Sequence, residues 1–170
     1  MSKNVISCIV YDGAWRMSWL LSVTYGPHNR RSKLEFWGSL RVMASRFDGP
    51  WLVIGDFNAV LCSSERVGGR VRDPLANYVL EAMDNLGMIE LNISRREFSW
   101  RNRREVRHIH SKIDRGLANV DWWSLFPEAS LCYLPETVSD HKPLLLHTSP
   151  QDPFTRKPFR FEAMCKTRKN

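Results

Sequence analysis

Trp51-Leu52-Val53-Ile54 is an uninterrupted apolar run that begins after Gly49-Pro50 and ends in Gly55-Asp56-Phe57-Asn58. A short continuous apolar run bounded by breakers predicts a strand covered on both faces, so the fold must place layers on either side of residues 51–55. Polar groups sit where that strand stops. Strand side chains alternate between faces, and Asp56 and Asn58 are two apart, so they can point together into the mouth of a site.

Neighbouring segments supply the layers. Residues 5–11 alternate loosely and are rich in β-branched side chains, and 15–25 reads as a second strand. A turn at Gly13 would make the two a hairpin, which Tyr25-Gly26-Pro27 stops. Residues 31–47 are expected to be helical, because Phe36, Leu40, Met43 and Phe47 recur on one face. The polar stretch 62–72, with Gly68-Gly69, predicts a loop. Asp73 is placed to cap a second helix with Pro74 at its first position, Leu75, Val79, Ala82 and Leu86 on its core face, and Gly87 at its end. Short strands are expected at 88–91, 98–101, 112–117, 131–134 and 143–147, and one or two helical turns at 120–126. This order suits an α/β sandwich with a mixed sheet, built as one domain over residues 1–149. Residues 150–170 carry Pro153, Pro158 and many charges, and read as a basic tail or linker.

The net charge is +7, from 25 Lys and Arg against 18 Asp and Glu, and the excess is local. Arg95, Arg96, Arg101, Arg103, Arg104, Arg107, Lys112 and Arg115 are opposed only by Glu97, Glu105 and Asp114. Such a field concentrates polyanions, nucleic acid first among them, with Arg101, Arg103, Arg104 and Arg107 as candidate contacts. The same charges fit a solvated loop and tail equally well. Cys8, Cys62, Cys132 and Cys165 form no CxxC pair and no zinc-like spacing, so they read as free thiols in a reducing compartment, the first three as small core or strand residues. The seven tryptophans read mostly as core or sheet-face residues. With no signal peptide and no bilayer-length apolar run, the expectation is an intracellular protein that does not span a membrane.

Several polar residues could do chemistry on a phosphate ester. A strand-end Asp56 can orient an attacking water, and Asn58 can donate to a phosphate oxygen. Alone, Asp-x-Asn fits an Asx turn as well. Asp140 is a hard oxygen ligand suited to magnesium, and His141 can donate to phosphate or move a proton. Taken alone, the pair also fits a polar turn. Asp114 can fix the tautomer of an imidazole, or make a surface ion pair with Arg115 or Lys112. Tyr25 ends its strand with a hydroxyl able to reach a phosphate oxygen. His108 and His110, set among arginines, read as solvated loop residues, and His28 and His147 carry no signal.

Tyr25-Gly26-Pro27, Gly55-Asp56-Phe57-Asn58, Lys112-Ile113-Asp114-Arg115 and Ser139-Asp140-His141 follow one another in the order seen in the endonuclease/exonuclease/phosphatase family. The resemblance runs from about residue 5 to 164. Within that family, PWLVIGDFN, GLANVDWWSLFPEAS and KPFRFEAM resemble the endonuclease region of plant LINE-type (non-LTR) retrotransposons. The resemblance implies a four-layered α/β sandwich, with two mixed sheets flanked by helices. It also implies cleavage of phosphodiester or phosphate monoester bonds with a divalent ion, usually Mg (or Mn). DNA is the implied partner, the nucleus the implied location, and a reverse-transcriptase region the implied neighbour in the full polyprotein. Carried over by position, Asp56 orients the water, Asn58 and Tyr25 contact the phosphate, Asp140 binds the metal or a water on it, and His141, held by Asp114, stabilises developing charge.

The pattern also departs from the family. There, a strand bearing Asn and a strand bearing a metal-binding Glu both precede the tyrosine motif. Here Asn4 lacks the strand expected around it, and no Glu precedes Glu35. The expectation is therefore a partial sandwich, N-terminally truncated, with weak or no nuclease activity and an exposed sheet edge able to self-associate. A non-catalytic basic nucleic-acid-binding module is the alternative, and a relative acting on small phosphate esters a third reading.

Overall fold

The computed structural model describes residues 3–12, 17–69, 73–93, 98–102, 108–136 and 138–148. Strands β1 (Val5–Asp12) and β2 (Met17–Tyr25) pair antiparallel, Val5 opposite Thr24 and Val10 opposite Trp19. Helix α1 (Arg30–Ala44) starts at Asn29, whose side chain accepts the Ser32 amide at 2.8 Å. It carries the chain back so that β3 (Trp51–Asp56) lies parallel to β2, a pairing that needs such a crossover. There follow β4 (Arg66–Val67), α2 (Ala76–Asn85), β5 (Ile89–Glu90), β6 (Trp100–Arg101), β7 (His110–Ser111), β8 (Asp114–Ala118), α3 (Val120–Leu125), β9 (Ser130–Tyr133) and β10 (Leu144–His147).

The main sheet has the order β1-β2-β3-β8-β5. β2 and β3 are parallel and its other pairs antiparallel, so it is mixed. β9 and β10 form an antiparallel ribbon, and β4, β7 and β6 a second small antiparallel sheet in the order β4-β7-β6. Isolated bridges tie these pieces together, Ile93 to Leu131 and Trp100 to His141.

Alternation along the central strands separates two cores. Leu20, Trp51, Val53 and Leu117 face Phe36, Trp37 and Leu40 of α1 and Val79, Ala82 and Met83 of α2. Their neighbours Trp19, Leu52 and Ala118 face the other way, onto Trp122 of α3 and Leu131 of β9, with Leu144 and Leu146 of β10 packed alongside. The fold is thus a partial α/β sandwich: helices, the mixed sheet, then the β9–β10 ribbon with α3. Its edge strand β1 exposes Ile6, Ile9 and Tyr11.

Several local expectations change. The first helix ends at Ala44, and Phe47 packs on the core from beyond it. The second starts at Ala76, with Leu75 at its N-cap and no side-chain cap. Asp73 accepts the Leu75 amide at 2.8 Å but spends its other oxygen on the buried Lys33, a counter-charge the helix pattern did not reveal. The expected loop at 62–72 contains the short strand β4, held by β7. His110 lies on β7 with its ring 5.8 Å from that of Phe98, whereas His108 is exposed. Cys8 and Cys62 are exposed rather than core residues, and Cys132 is half-buried on β9. Trp15, Cys165, Arg103, Arg104, Arg107 and the expected tail at 150–170 lie outside the described residues.

Candidate functional site

Register brings three strand ends together. Tyr25 is the partner of Asp56 across β2 and β3, and Asp56 the partner of Asp114 across β3 and β8. By strand alternation Tyr25 follows Trp19, Asp56 follows Leu52 and Asp114 follows Ala118. All three therefore look toward the β9–β10 side of the sheet. Asp56 and Asp114 are both only 6 % exposed, while Tyr25 is 60 % exposed, its ring edge-on to His28.

Two glycines make this packing possible. A Cβ on Gly55, whose φ is +137°, would lie 2.3 Å from the Thr24 carbonyl oxygen. One on Gly26 would lie 2.6 Å from the Phe57 carbonyl. Without side chains, the backbones close up and the Gly26 amide donates to the Asp56 carbonyl at 2.6 Å.

Asn58 lies just past β3 with φ +48°, a left-handed turn that Asn tolerates better than most residues. The turn folds it back on Asp56. Its backbone amide donates to Asp56 Oδ1 at 2.7 Å, and its Nδ2 to Asp56 Oδ2 at 2.9 Å and to the Gly26 carbonyl at 2.5 Å. Both side-chain N–H bonds are thereby committed.

Asp114 receives His141 from across the gap between the sheets, Nδ1 to Oδ2 at 3.0 Å. His141 Nε2 has no partner among the described residues. The ion pairs weighed for Asp114 do not form. Arg115 points to the opposite face, where its guanidinium meets Glu65 and Glu90, and Lys112 joins the same group. Burial pushes the Asp56 carboxyl up to about 6, the nearby Asp114 adds to this, and the Asn58 amide, His141 and Lys33 oppose it.

Asp140 is turned onto Trp100, whose indole Nε1 donates to Oδ2 at 2.8 Å. Among the described residues no three His, Cys, Asp or Glu side chains gather as metal ligands. The described residues thus form no all-protein cage, which magnesium, keeping several of its waters, does not ordinarily require. Arg101, half-exposed, pairs with Glu136 at 2.5 Å.

Four residues at the site escaped sequence reasoning. Ser99, fully buried, accepts the amides of Ile113 and Asp114 at 3.0 Å each. Tyr133 donates its hydroxyl to the Asp114 carbonyl at 2.8 Å, and burial with the Asp114 charge raises its phenol. Trp100 holds Asp140. Lys33 donates its ammonium to the Asn58 carbonyl at 2.7 Å. Only Lys33 left a legible trace: it falls on the buried stripe of α1 with Phe36, Trp37 and Leu40.

The profile of the endonuclease/exonuclease/phosphatase family matches residues 5–141. The chain belongs to that family. No curated protein matches. Among solved structures, the endonuclease domain of TRAS1, a telomere-specific non-LTR retrotransposon, is similar with a TM-score of 0.68 at 15 % identity, over 84 % of this chain and 62 % of that one. The beta toxin 275-280 structure from Staphylococcus aureus is similar with a TM-score of 0.56 at 12 % identity, over 86 % of this chain and 57 % of that one. Both likenesses concern the fold, and this family member spans less than two thirds of either neighbour.

Proposed function

We propose that this family member is a retrotransposon-type endonuclease domain that hydrolyses phosphodiester bonds of DNA at the Asp56–Asp114–His141 cluster. The observation that carries the reading is the facing pair of Asp56 and Asp114 at adjacent strand ends, with His141 on the second carboxylate.

The chain's own groups have distinct tasks. Asp56 is ionised above a pH of about 6 and orients the water, taking its proton as the water oxygen bonds to phosphorus. The P–O bond to the leaving sugar oxygen breaks, and that oxygen leaves as an alkoxide that solvent protonates. Asn58, with both N–H bonds on Asp56 and Gly26, acts through Asp56 by aiming its carboxylate. Asp114 accepts Nδ1–H of His141 and so orients the ring, which as the imidazolium donates Nε2–H to a phosphate oxygen where charge builds. Tyr25, exposed at the same strand level, offers its hydroxyl to the phosphate. Divalent-ion dependence and a role for Asp140 belong to the family reading.

The test is nicking of supercoiled plasmid by the full chain, with magnesium and with chelator, beside Asp56→Ala. Nicking that needs Asp56 supports the reading. Equal conversion by both proteins removes the catalytic claim. Salt-sensitive DNA binding without any nicking would favour the basic binding module, motivated by the charge of residues 95–115.

A further inference from the structure

We propose that Lys33 is a positioning residue for Asp56: its buried ammonium pins the turn that folds Asn58 onto the Asp56 carboxylate, and supplies the positive charge that carboxylate feels from the helix layer. The inference rests on Asp56 being the working carboxylate of the proposed reaction.

Lysine is among the residues least often buried, yet Lys33 is 4 % exposed and sits on the apolar stripe of α1. Its Nζ donates to the Asn58 carbonyl at 2.7 Å and pairs with the Asp73 carboxylate. Asp73 is fixed in turn, with Oδ1 accepting the Leu75 amide and its own amide reaching the Val60 carbonyl at 3.3 Å. One ammonium thus joins α1, the turn after β3 and the approach to α2. The residue it grips is the one non-glycine among the described residues with a positive φ. The lysine adds a hold on the Asn58 carbonyl to those that Asp56 and Gly26 have on its amide and side chain. Phe36 and Trp37 already pack against Phe57 and fill the apolar space there, so volume alone does not call for a lysine.

What an ammonium adds is charge. The charged or titratable groups that face Asp56 are Asp114 from β8, His141 from the segment before β10 and Lys33 from α1. Asp114 pushes the carboxyl toward its neutral form, and Lys33 opposes that from the other side of the sheet. A merely structural lysine would move stability when replaced. A positioning lysine must also move the titration of Asp56.

The experiment is a carbon-13 NMR titration of the Asp56 carboxyl in the full chain, in the native sequence, Lys33→Met and Asp73→Asn, with folding checked by near-ultraviolet circular dichroism. Lys33→Met should shift the midpoint upward. Asp73→Asn keeps the ammonium and removes its counter-charge, so the midpoint should shift downward. Opposite shifts support the role, and unchanged midpoints or shifts in one direction overturn it. If Lys33→Met does not fold, Asp73→Asn decides, and no downward shift overturns the proposal. The titration needs no turnover: opposite shifts in a protein that never nicks DNA would sink the nuclease reading and leave the electrostatic role of Lys33 standing.

Discussion

Asp56 stands directly opposite Asp114 across β3 and β8, two carboxylates each 6 % exposed on one face of the sheet. Such a pair resists double ionisation, and the surroundings divide it. His141 takes Asp114 at 3.0 Å, while burial leaves Asp56 titrating near 6. One carboxylate is committed to an imidazole and the other is poised to gain and lose a proton near neutral pH.

The nicking rate should therefore rise with pH through a midpoint of about 6, as Asp56 ionises, and this limb should vanish in Asp56→Asn. A pH–rate profile between about 4 and 8 (about two units either side of the midpoint) checks it. Stability should run the opposite way over part of this range. The native state holds the Asp56 proton more tightly than the unfolded chain, so its contribution falls between the ordinary value of 3.8 and about 6, then stays level.

Asp114→Asn should slow nicking by about 10²–10⁴-fold, because the amide no longer fixes the orientation and tautomer of the imidazole. Urea unfolding should change by less than about 1 kcal/mol, since the hydrogen-bonding shape is kept. Single-turnover kinetics beside the unfolding curve separate the two effects.

The charged group on the reverse face is structural. Arg115 is 1 % exposed and meets Glu65 and Glu90. Burial raises the Glu65 carboxyl, but Arg115 outweighs it and holds the group below 4.5. Glu65 thus stabilises the fold above pH 4.5, and that contribution is lost as acid takes the pH down through its folded value. Arg115→Met should cost about 3–5 kcal/mol by leaving buried carboxylates uncompensated. Denaturant unfolding at pH 7 measures this.

Ser99→Ala should destabilise by about 2 kcal/mol, because two buried amides, those of Ile113 and Asp114, lose their acceptor. It should also slow nicking, since it loosens the entry to β8. Gly55→Ala should cost at least as much: its φ of +137° and the Thr24 carbonyl at 2.3 Å leave no place for a methyl. Thermal unfolding of each variant gives the comparison.

The main elements were legible because they follow period and punctuation. The run at 51–54 begins where β3 begins, and Phe36 and Leu40 marked the buried face of α1. Order and motif also identified the family. What the sequence hid were contacts made by chain segments far apart. Lys33 finds Asp73 forty residues on, which moved that carboxylate away from the capping task its position suggested. Arg115 looked like a surface partner for Asp114, but strand alternation puts neighbours on opposite faces, and Arg115 is buried on the other one. Trp100 read as a sheet-face residue, and its indole N–H instead holds Asp140. Cys8 looked apolar enough for the core, yet it is exposed on the edge strand β1.

The central claim is that Asp56 and His141 work as one unit at a shared site. Nicking rates of the native chain, Asp56→Ala, His141→Ala and the double variant test it most directly. The account predicts a large loss in each single variant, and a double variant no slower than the worse of the two, because groups that act together cannot be lost twice. Losses that multiply, or single variants that nick as fast as the native chain, would contradict it.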